Sequence, residues 1–271
     1  MILAIDIGNT NIVIGCVDGD KVVFTERTST NRTATDLEYA VMVKTALNMN
    51  GVTHDRVEGA IISSVVPQIT GTLKRAIEKY VGVTPLIVGP GIKTGLSIKI
   101  DNPAQLGSDL VVDAVAGMAE YPLPLILIDM GTATTFSVID KKGDYLGGMI
   151  TTGMAVSTDA LVSRTSQLPH FSFEKPKKVI GSNTIDCLKG GIMYGSAAMI
   201  DGIIERIEDE LGEACTVVAT GGLAGLVTPL CKRQDIILDD ELLLKGLMLI
   251  YNKNKEAFCS GDVKILRNAK S

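Results

Sequence analysis

Tryptophan is absent, and aromatic residues make up only 4% of the 271-residue chain. A stacking platform for single-stranded nucleic acid therefore lacks its material. Cations are outnumbered too: 26 Lys and Arg against 31 Asp and Glu give a net charge of −5. An acidic surface repels phosphate backbones, so no nucleic-acid partner is expected. A local pocket for a nucleotide stays open. No apolar run approaches the ~20 residues that span a bilayer. The opening MILAIDIGNT has no basic lead, and Asp6 breaks its apolar stretch. Neither a membrane span nor a secretory signal is expected. The five cysteines (Cys16, Cys187, Cys215, Cys231, Cys259) form no C-x-x-C pair, which reads as reduced, packed thiols in a cytoplasmic protein. The two histidines, His54 and His170, have no Cys or His at ligand spacing, so zinc is disfavoured. G-x-S-x-G is missing, and nothing suggests a Ser-His-Asp arrangement.

What is present is an ordinary globular composition, 46% apolar, over a length that suits one large domain or two. Strands are expected at Ile2–Ile5, Ile12–Val17, Gly59–Val65, Leu86–Val88, Leu125–Asp129, Phe136–Ile139 and Thr216–Ala219. Asp18-Gly19-Asp20 and Lys142-Gly143-Asp144 are hairpin signals. Helices are expected at Asp36–Met49, capped by Thr35 or Asp36, from Pro67 to Tyr80, at Ser108–Ala119, 154–165, Thr184–Leu211 and Glu241–Tyr251. Residues 89–104 read as a loop-rich linker, His170–Lys178 as a surface loop, and the tail after Cys259 as basic and frayed.

The informative feature is a repeat. ILAIDIGNTNIVIGCVDGDKV begins at residue 2, and LILIDMGTATTFSVIDKKGDYL begins at residue 125. Asp6 aligns with Asp129, Gly8 with Gly131, and Asn9-Thr10-Asn11 with Thr132-Ala133-Thr134. Each copy reads as strand, D-x-G, short polar turn, strand. A glycine turn lets backbone N–H groups converge on an anion. Thr10, Asn11, Thr132 and Thr134 add side-chain donors. The leading acid faces phosphate through Mg²⁺ or another cation, which prefers carboxylate and phosphate oxygens. The alternative, that Asp6 and Asp129 merely cap hairpins, is weaker for the pair than for either alone. Gly221-Gly222, ending a strand, suits either a flat adenine ring or a plain turn. Gly89–Gly95 fails the spacing of both common phosphate loops. Asp109, at an expected helix start, either complements the helix dipole or faces a ligand.

Several segments together resemble the type III pantothenate kinases of the actin-like ATPase (acetate and sugar kinase) superfamily, over roughly residues 1–255. They are Asp6-Ile7-Gly8-Asn9-Thr10, Asp129-Met130-Gly131-Thr132-Ala133-Thr134, Asp101-Asn102-Pro103 with Gly107-Ser108-Asp109, Gly147-Gly148 with Gly153, Leu168-Pro169, Ile180-Gly181 and Asn183-Thr184. The resemblance implies an α/β fold with duplicated ribonuclease H-like domains, 1–117 and 118–271, facing each other across a nucleotide cleft. It implies ATP-dependent phosphorylation of pantothenate, the first step of coenzyme A synthesis, by a homodimer. Asp109 would be the general base. Asp6, Ile7, Gly8, Asn9, Thr10, Asn11, Ile12, Val13 and Thr132 would contact ATP, with Gly221 and Gly222 as candidates for adenine. Gly107, Ser108, Asp109, Leu110 and Thr184 would contact pantothenate. Asp6 would help hold Mg²⁺, and Asp129 a monovalent cation, potassium or ammonium. The chain departs from the family at Leu110 (usually Arg), Ile100 (usually aromatic) and Thr152 (usually Pro). The competing reading is a nucleotide-binding regulatory or transcription accessory protein on the same scaffold, without kinase activity.

Overall fold

The computed structural model describes residues 1–259; the basic tail falls outside the described residues. The first elements are β1 (Ile2–Ile7), β2 (Asn11–Asp18), β3 (Lys21–Ser29), α1 (Asp36–Met49), β4 (Gly59–Ser64), α2 (Pro67–Tyr80), β5 (Leu86–Ile87), β6 (Ser97–Ile98) and α3 (Ser108–Glu120). Then come β7 (Leu125–Met130), β8 (Ala133–Ile139), β9 (Asp144–Thr152), α4 (Met154–Ser163), α5 (Thr184–Leu211), β10 (Thr216–Thr220), α6 (Ala224–Val227), β11 (Ile237–Leu238) and α7 (Leu242–Cys259).

The chain forms two compact units, neither continuous in sequence. The first gathers Met1–Gly95, Ala104–Ala116 and, among the described residues, 243–259; the second gathers Leu96–Pro103 and Gly117–Leu242. The division expected at 117/118 follows the duplication, whereas the compact units exchange segments across it. Residues 89–104 are not a free linker. Ser97–Ile98 pairs parallel with β9 in the second unit. In the first, the buried Asn254 side chain donates to Lys93 O at 2.8 Å and accepts from Lys93 N at 3.0 Å.

The sheet of the first unit has the order β3-β2-β1-β4-β5, and that of the second β11-β10-β7-β8-β9-β6. In each, an antiparallel hairpin pair (β1–β2–β3; β7–β8–β9) is continued by parallel strands (β4, β5; β10, β11). Apart from the short β6, the second sheet repeats the first. The duplication read from two D-x-G segments thus extends to whole sheets.

Local chemistry explains the helices. Thr35 caps α1 and forms a capping box with Glu38, satisfying otherwise orphaned N–H groups. Tyr39, Ala40, Val43, Ala46 and Leu47 follow at helical spacing and enter the first core with Leu3, Ile5 and Ile62. Asn183 caps α5, and Gly212 ends it with φ of 72°. The face Met193, Ala197, Ile200, Ile204 and Ile207 packs on Ile126, Ile128 and Val217 of the second sheet. α7 is longer than the expected Glu241–Tyr251. It docks on the first sheet because two strand positions lack side chains. A Cβ on Gly15 would strike Leu244, and one on Gly59 would strike the Tyr251 phenol.

Candidate active site

In the first unit, Asp6 sits one residue from the end of β1, paired with Val13 of β2 and Ser63 of β4. It is 8% exposed. Gly8 N donates to Asn11 O at 2.9 Å, closing the turn. Asn9, Thr10 and Asn11 are exposed around it, whereas the Ile7 and Ile12 side chains lie in the core. What Ile7 and Ile12 offer a ligand is backbone.

α3 begins against the same end of the sheet. Ser108 Oγ lies 3.0 Å from Ser63 Oγ, accepts from Ser64 N at 3.1 Å and is 3.1 Å from Ser64 O. Ser63 is the residue paired with Asp6, so this clamp brings the Gly107–Leu110 segment to the D-x-G turn. The half-buried Asp109 follows directly. Leu110 N donates to its Oδ1 at 2.9 Å. Among the described residues no cation pairs with it. Burial pushes its carboxyl above the usual carboxylate range and outweighs the backbone N–H groups that favour the anion. Gly107 lies so close that a Cβ there would strike the Asp109 carboxylate. A half-buried, unsalted carboxylate with a raised pKa suits a proton acceptor.

In the second unit, Asp129 is paired with Thr135 of β8 and Thr220 of β10. Gly221 follows β10 with φ of 95°, and a Cβ on it would meet both Asp129 Oδ1 and, at 2.6 Å, Met130 N. A Cβ on Gly131 would lie 3.6 and 3.8 Å from the two Asp129 carboxylate oxygens and 3.7 Å from Ala133 O. The carboxylate is therefore bordered by glycine backbone and carbonyl oxygen. A carboxylate and a carbonyl oxygen are donor types that a hard cation takes. Thr132 is exposed at this turn, and Gly222 is exposed after Gly221. Thr184 opens α5 and is exposed.

The register corrects part of the repeat alignment. Ile7 pairs with Ile12 but Met130 pairs with Thr134, so the first turn is one residue longer. Thr30 N donates to Thr10 O at 2.9 Å, and Gly153 N donates to Thr132 O at 3.1 Å. Thr10 therefore corresponds to Thr132, Asn11 to Ala133, and Asn9 has no counterpart. Thr134 is buried in β8 and offers no donor at the open side. The sequence reading also missed Ser63, Ser64 and Thr30, and took Gly153 only as part of a family motif. One signal pointed to the last two: a third strand returning along a hairpin must end beside the hairpin's first turn.

The family profile described as type III pantothenate kinase matches residues 2–206. The chain belongs to the type III pantothenate kinase family. A type III pantothenate kinase of an Exiguobacterium species is 47% identical over 256 residues, covering 94% of this chain and all of that one. That of Halalkalibacterium halodurans is 45% identical over 254 residues, with the same coverage. Among solved structures, the activator of 2-hydroxyisocaproyl-CoA dehydratase from Clostridium difficile, with bound ADPNP, superposes with a TM-score of 0.57 at 14% identity, covering 98% of this chain and 99% of that one. At that identity the likeness establishes the fold, that of the actin-like ATPases.

The remaining titratable groups do not add to the candidate site. Burial pushes the Cys16 and Cys215 thiols up to about 11 and Cys231 to about 12, which keeps them protonated and unreactive at neutral pH. His54 and His170 are exposed, His54 stacking edge-on against Tyr80. Among the described residues no group of three or more His, Cys, Asp or Glu is placed to hold a metal, and no helix is long and apolar enough to cross a membrane.

Proposed function

We propose that this chain transfers the γ-phosphoryl group of ATP to the primary hydroxyl of pantothenate, giving 4′-phosphopantothenate for coenzyme A synthesis. Family membership supports the activity. The observation that carries the residue roles is the Ser63–Ser108 clamp, which sets a half-buried Asp109 beside the D-x-G turn of Asp6. Phosphoryl transfer proceeds through a loose transition state, so positioning and charge neutralisation dominate. Asp109 accepts the hydroxyl proton as the new P–O bond forms. Within the first unit, Gly107–Leu110 suit pantothenate, and residues 6–13 suit ATP through turn N–H groups and hydroxyls. Within the second unit, the family resemblance assigns Thr184 to pantothenate and Thr132, Gly221 and Gly222 to ATP. Asp6 suits Mg²⁺ brought with the nucleotide, and Asp129 suits potassium or ammonium. When bound, these cations neutralise phosphate charge.

The test is acceptor-dependent ADP release with purified protein, MgATP and pantothenate, with and without potassium. Turnover requiring pantothenate is expected, stimulated by potassium in the wild type and insensitive to it in Asp129→Asn. ATP binding without turnover would instead select the regulatory reading. An alcohol panel decides whether Leu110 and Ile100 change the acceptor.

A homodimer is part of this proposal. The second unit exposes apolar side chains on β9, on α4 and before and within α5, with Ile150 75%, Val179 65% and Ile180 80% exposed. Leaving such groups in water is unfavourable at roughly 25 cal/mol per Å², and a second copy of the chain is the proposed cover. Light scattering is expected to give twice the chain mass, and Ile150→Glu with Ile180→Glu to shift it to one chain. A single-chain mass for the wild type would refute the dimer. The cytoplasm is the proposed location, in keeping with a substrate pair of ATP and pantothenate.

A further inference from the structure

The two D-x-G turns are built alike, and the first has a cation attached to it. Neither segment 6–13 nor segment 129–134 contains Lys or Arg. After β9 a single residue, Gly153, leads into α4. After β3 the six residues 30–35 intervene before α1. This longer connector carries Arg32, whose Nη2 donates to Asn9 Oδ1 at 2.9 Å. Asn9 is the extra residue of the first turn. Both additions, one in the turn and one in the connector, therefore meet in one hydrogen bond.

The connector is fixed on either side of Arg32. Thr30 Oγ1 donates to Gly8 O at 2.7 Å. The buried Tyr39 donates through its hydroxyl to Asn31 O at 2.6 Å. Asn31 Oδ1 accepts from Thr33 N at 3.0 Å and Thr33 Oγ1 at 2.8 Å. Thr35 then caps α1. The Arg32 side chain itself is exposed, and among the described residues no carboxylate pairs with it. A guanidinium has five N–H donors in a fixed fork. One is engaged by Asn9, which leaves the others for a planar, bidentate anion such as a phosphate edge.

We propose that Arg32, held by Asn9, is a polyphosphate-binding residue for ATP: the cation of the first turn, contacting nucleotide phosphate oxygens directly. The inference rests on the reading of Gly8–Asn11 as a phosphate turn. It goes further by assigning the charge that the turn lacks in a protein of net charge −5. The positions of the two additions make the device specific to the first turn.

The experiment is calorimetric binding of MgATP, MgADP and adenosine to the full chain, for the wild type, Arg32→Ala, Arg32→Lys and Thr10→Ala, with the melting temperature of each. Losing a charge-assisted hydrogen bond to phosphate weakens binding by about 10- to 100-fold. Arg32→Ala is expected to show that loss for MgATP and MgADP, with adenosine affinity and melting temperature unchanged. Arg32→Lys is expected to regain part of the loss, since it keeps charge but not the fork. If Thr10→Ala weakens MgATP while Arg32→Ala stays within twofold of the wild type, the assignment of Arg32 fails and the phosphate turn stands. If neither changes MgATP affinity, the phosphate turn fails with it. An equal loss of adenosine and MgATP in Arg32→Ala, with a lowered melting temperature, would show a structural prop for the turn and overturn the proposal.

Discussion

Asp109→Asn is expected to lower kcat by about 10²–10⁴-fold, the range spanned by a lost general base, while ATP affinity stays close to wild type. The same variant is expected to be more stable than the wild type at neutral pH. Burial raises the folded-state pKa of Asp109, so the native protein binds this proton more tightly than the unfolded chain does. As pH rises from the unfolded value, ~3.9 for an aspartate, the unfolded chain ionises first and gains relative to the native state. The loss grows until pH passes the folded pKa and is complete above it. Asparagine carries no such charge. Melting temperatures of the two proteins should therefore converge in acid and separate, with the variant higher, towards neutrality. In the wild type, kcat/KM should rise with pH through a value above that of a free aspartate, and the variant should lack this limb. Wild-type turnover in Asp109→Asn would remove the residue from the chemistry. A melting temperature below wild type at neutral pH would contradict its burial as a bare carboxylate.

Gly221→Ala is the second change with a large expected effect, this time on both stability and ATP use. Its φ of 95° lies where L-residues are strained, and a Cβ would press on the Asp129 carboxylate and on Met130 N. Backbone has little room to give there, because β7 and β10 are paired up to Asp129 and Thr220. A destabilisation of roughly 2–4 kcal/mol is expected, together with at least about tenfold lower kcat/KM for ATP and weakened potassium stimulation, because the displaced group is the proposed cation ligand. Gly89→Ala is the control: nothing lies within 4 Å of a Cβ there, so it should stay within about 0.5 kcal/mol of wild type. Urea denaturation and steady-state kinetics read both. Wild-type stability in Gly221→Ala would mean that the β10 turn relaxes without disturbing Asp129.

The elements that carry local signals were legible in the sequence. α1 starts at its Thr35 capping box, α2 at Pro67, and α5 runs from its Asn183 cap to a left-handed Gly212. The D-x-G repeat was legible because Asp and Gly are uncommon inside apolar strands. What escaped was set by pairing over distance. β9 holds two adjacent glycines and has β-branched residues only at its end, Ile150 to Thr152, and it is a strand because β8 supplies its hydrogen bonds. β6 and β11 have two residues each, too few for any period to show. The one-residue difference between the two turns appears only in the register of β1–β2 and β7–β8. Likewise Ser63 and Ser64 look like ordinary strand-end polar residues until Ser108, 45 residues away from Ser63, closes on them. Arg32 was passed over because its connector has no motif of its own. Its place follows from the end of β3 lying beside the turn.

The return of α7 to the first sheet has a consequence for biosynthesis. Leu244 and Tyr251 fill the hollows over Gly15 and Gly59, yet they are translated more than 180 residues after those strands. While the ribosome is still making the second unit, the first presents an unroofed apolar surface. It is finished only when α7 emerges. A gene cut after residue 117 would therefore yield an amino-terminal fragment prone to clumping, one that a peptide spanning residues 242–259 should render soluble.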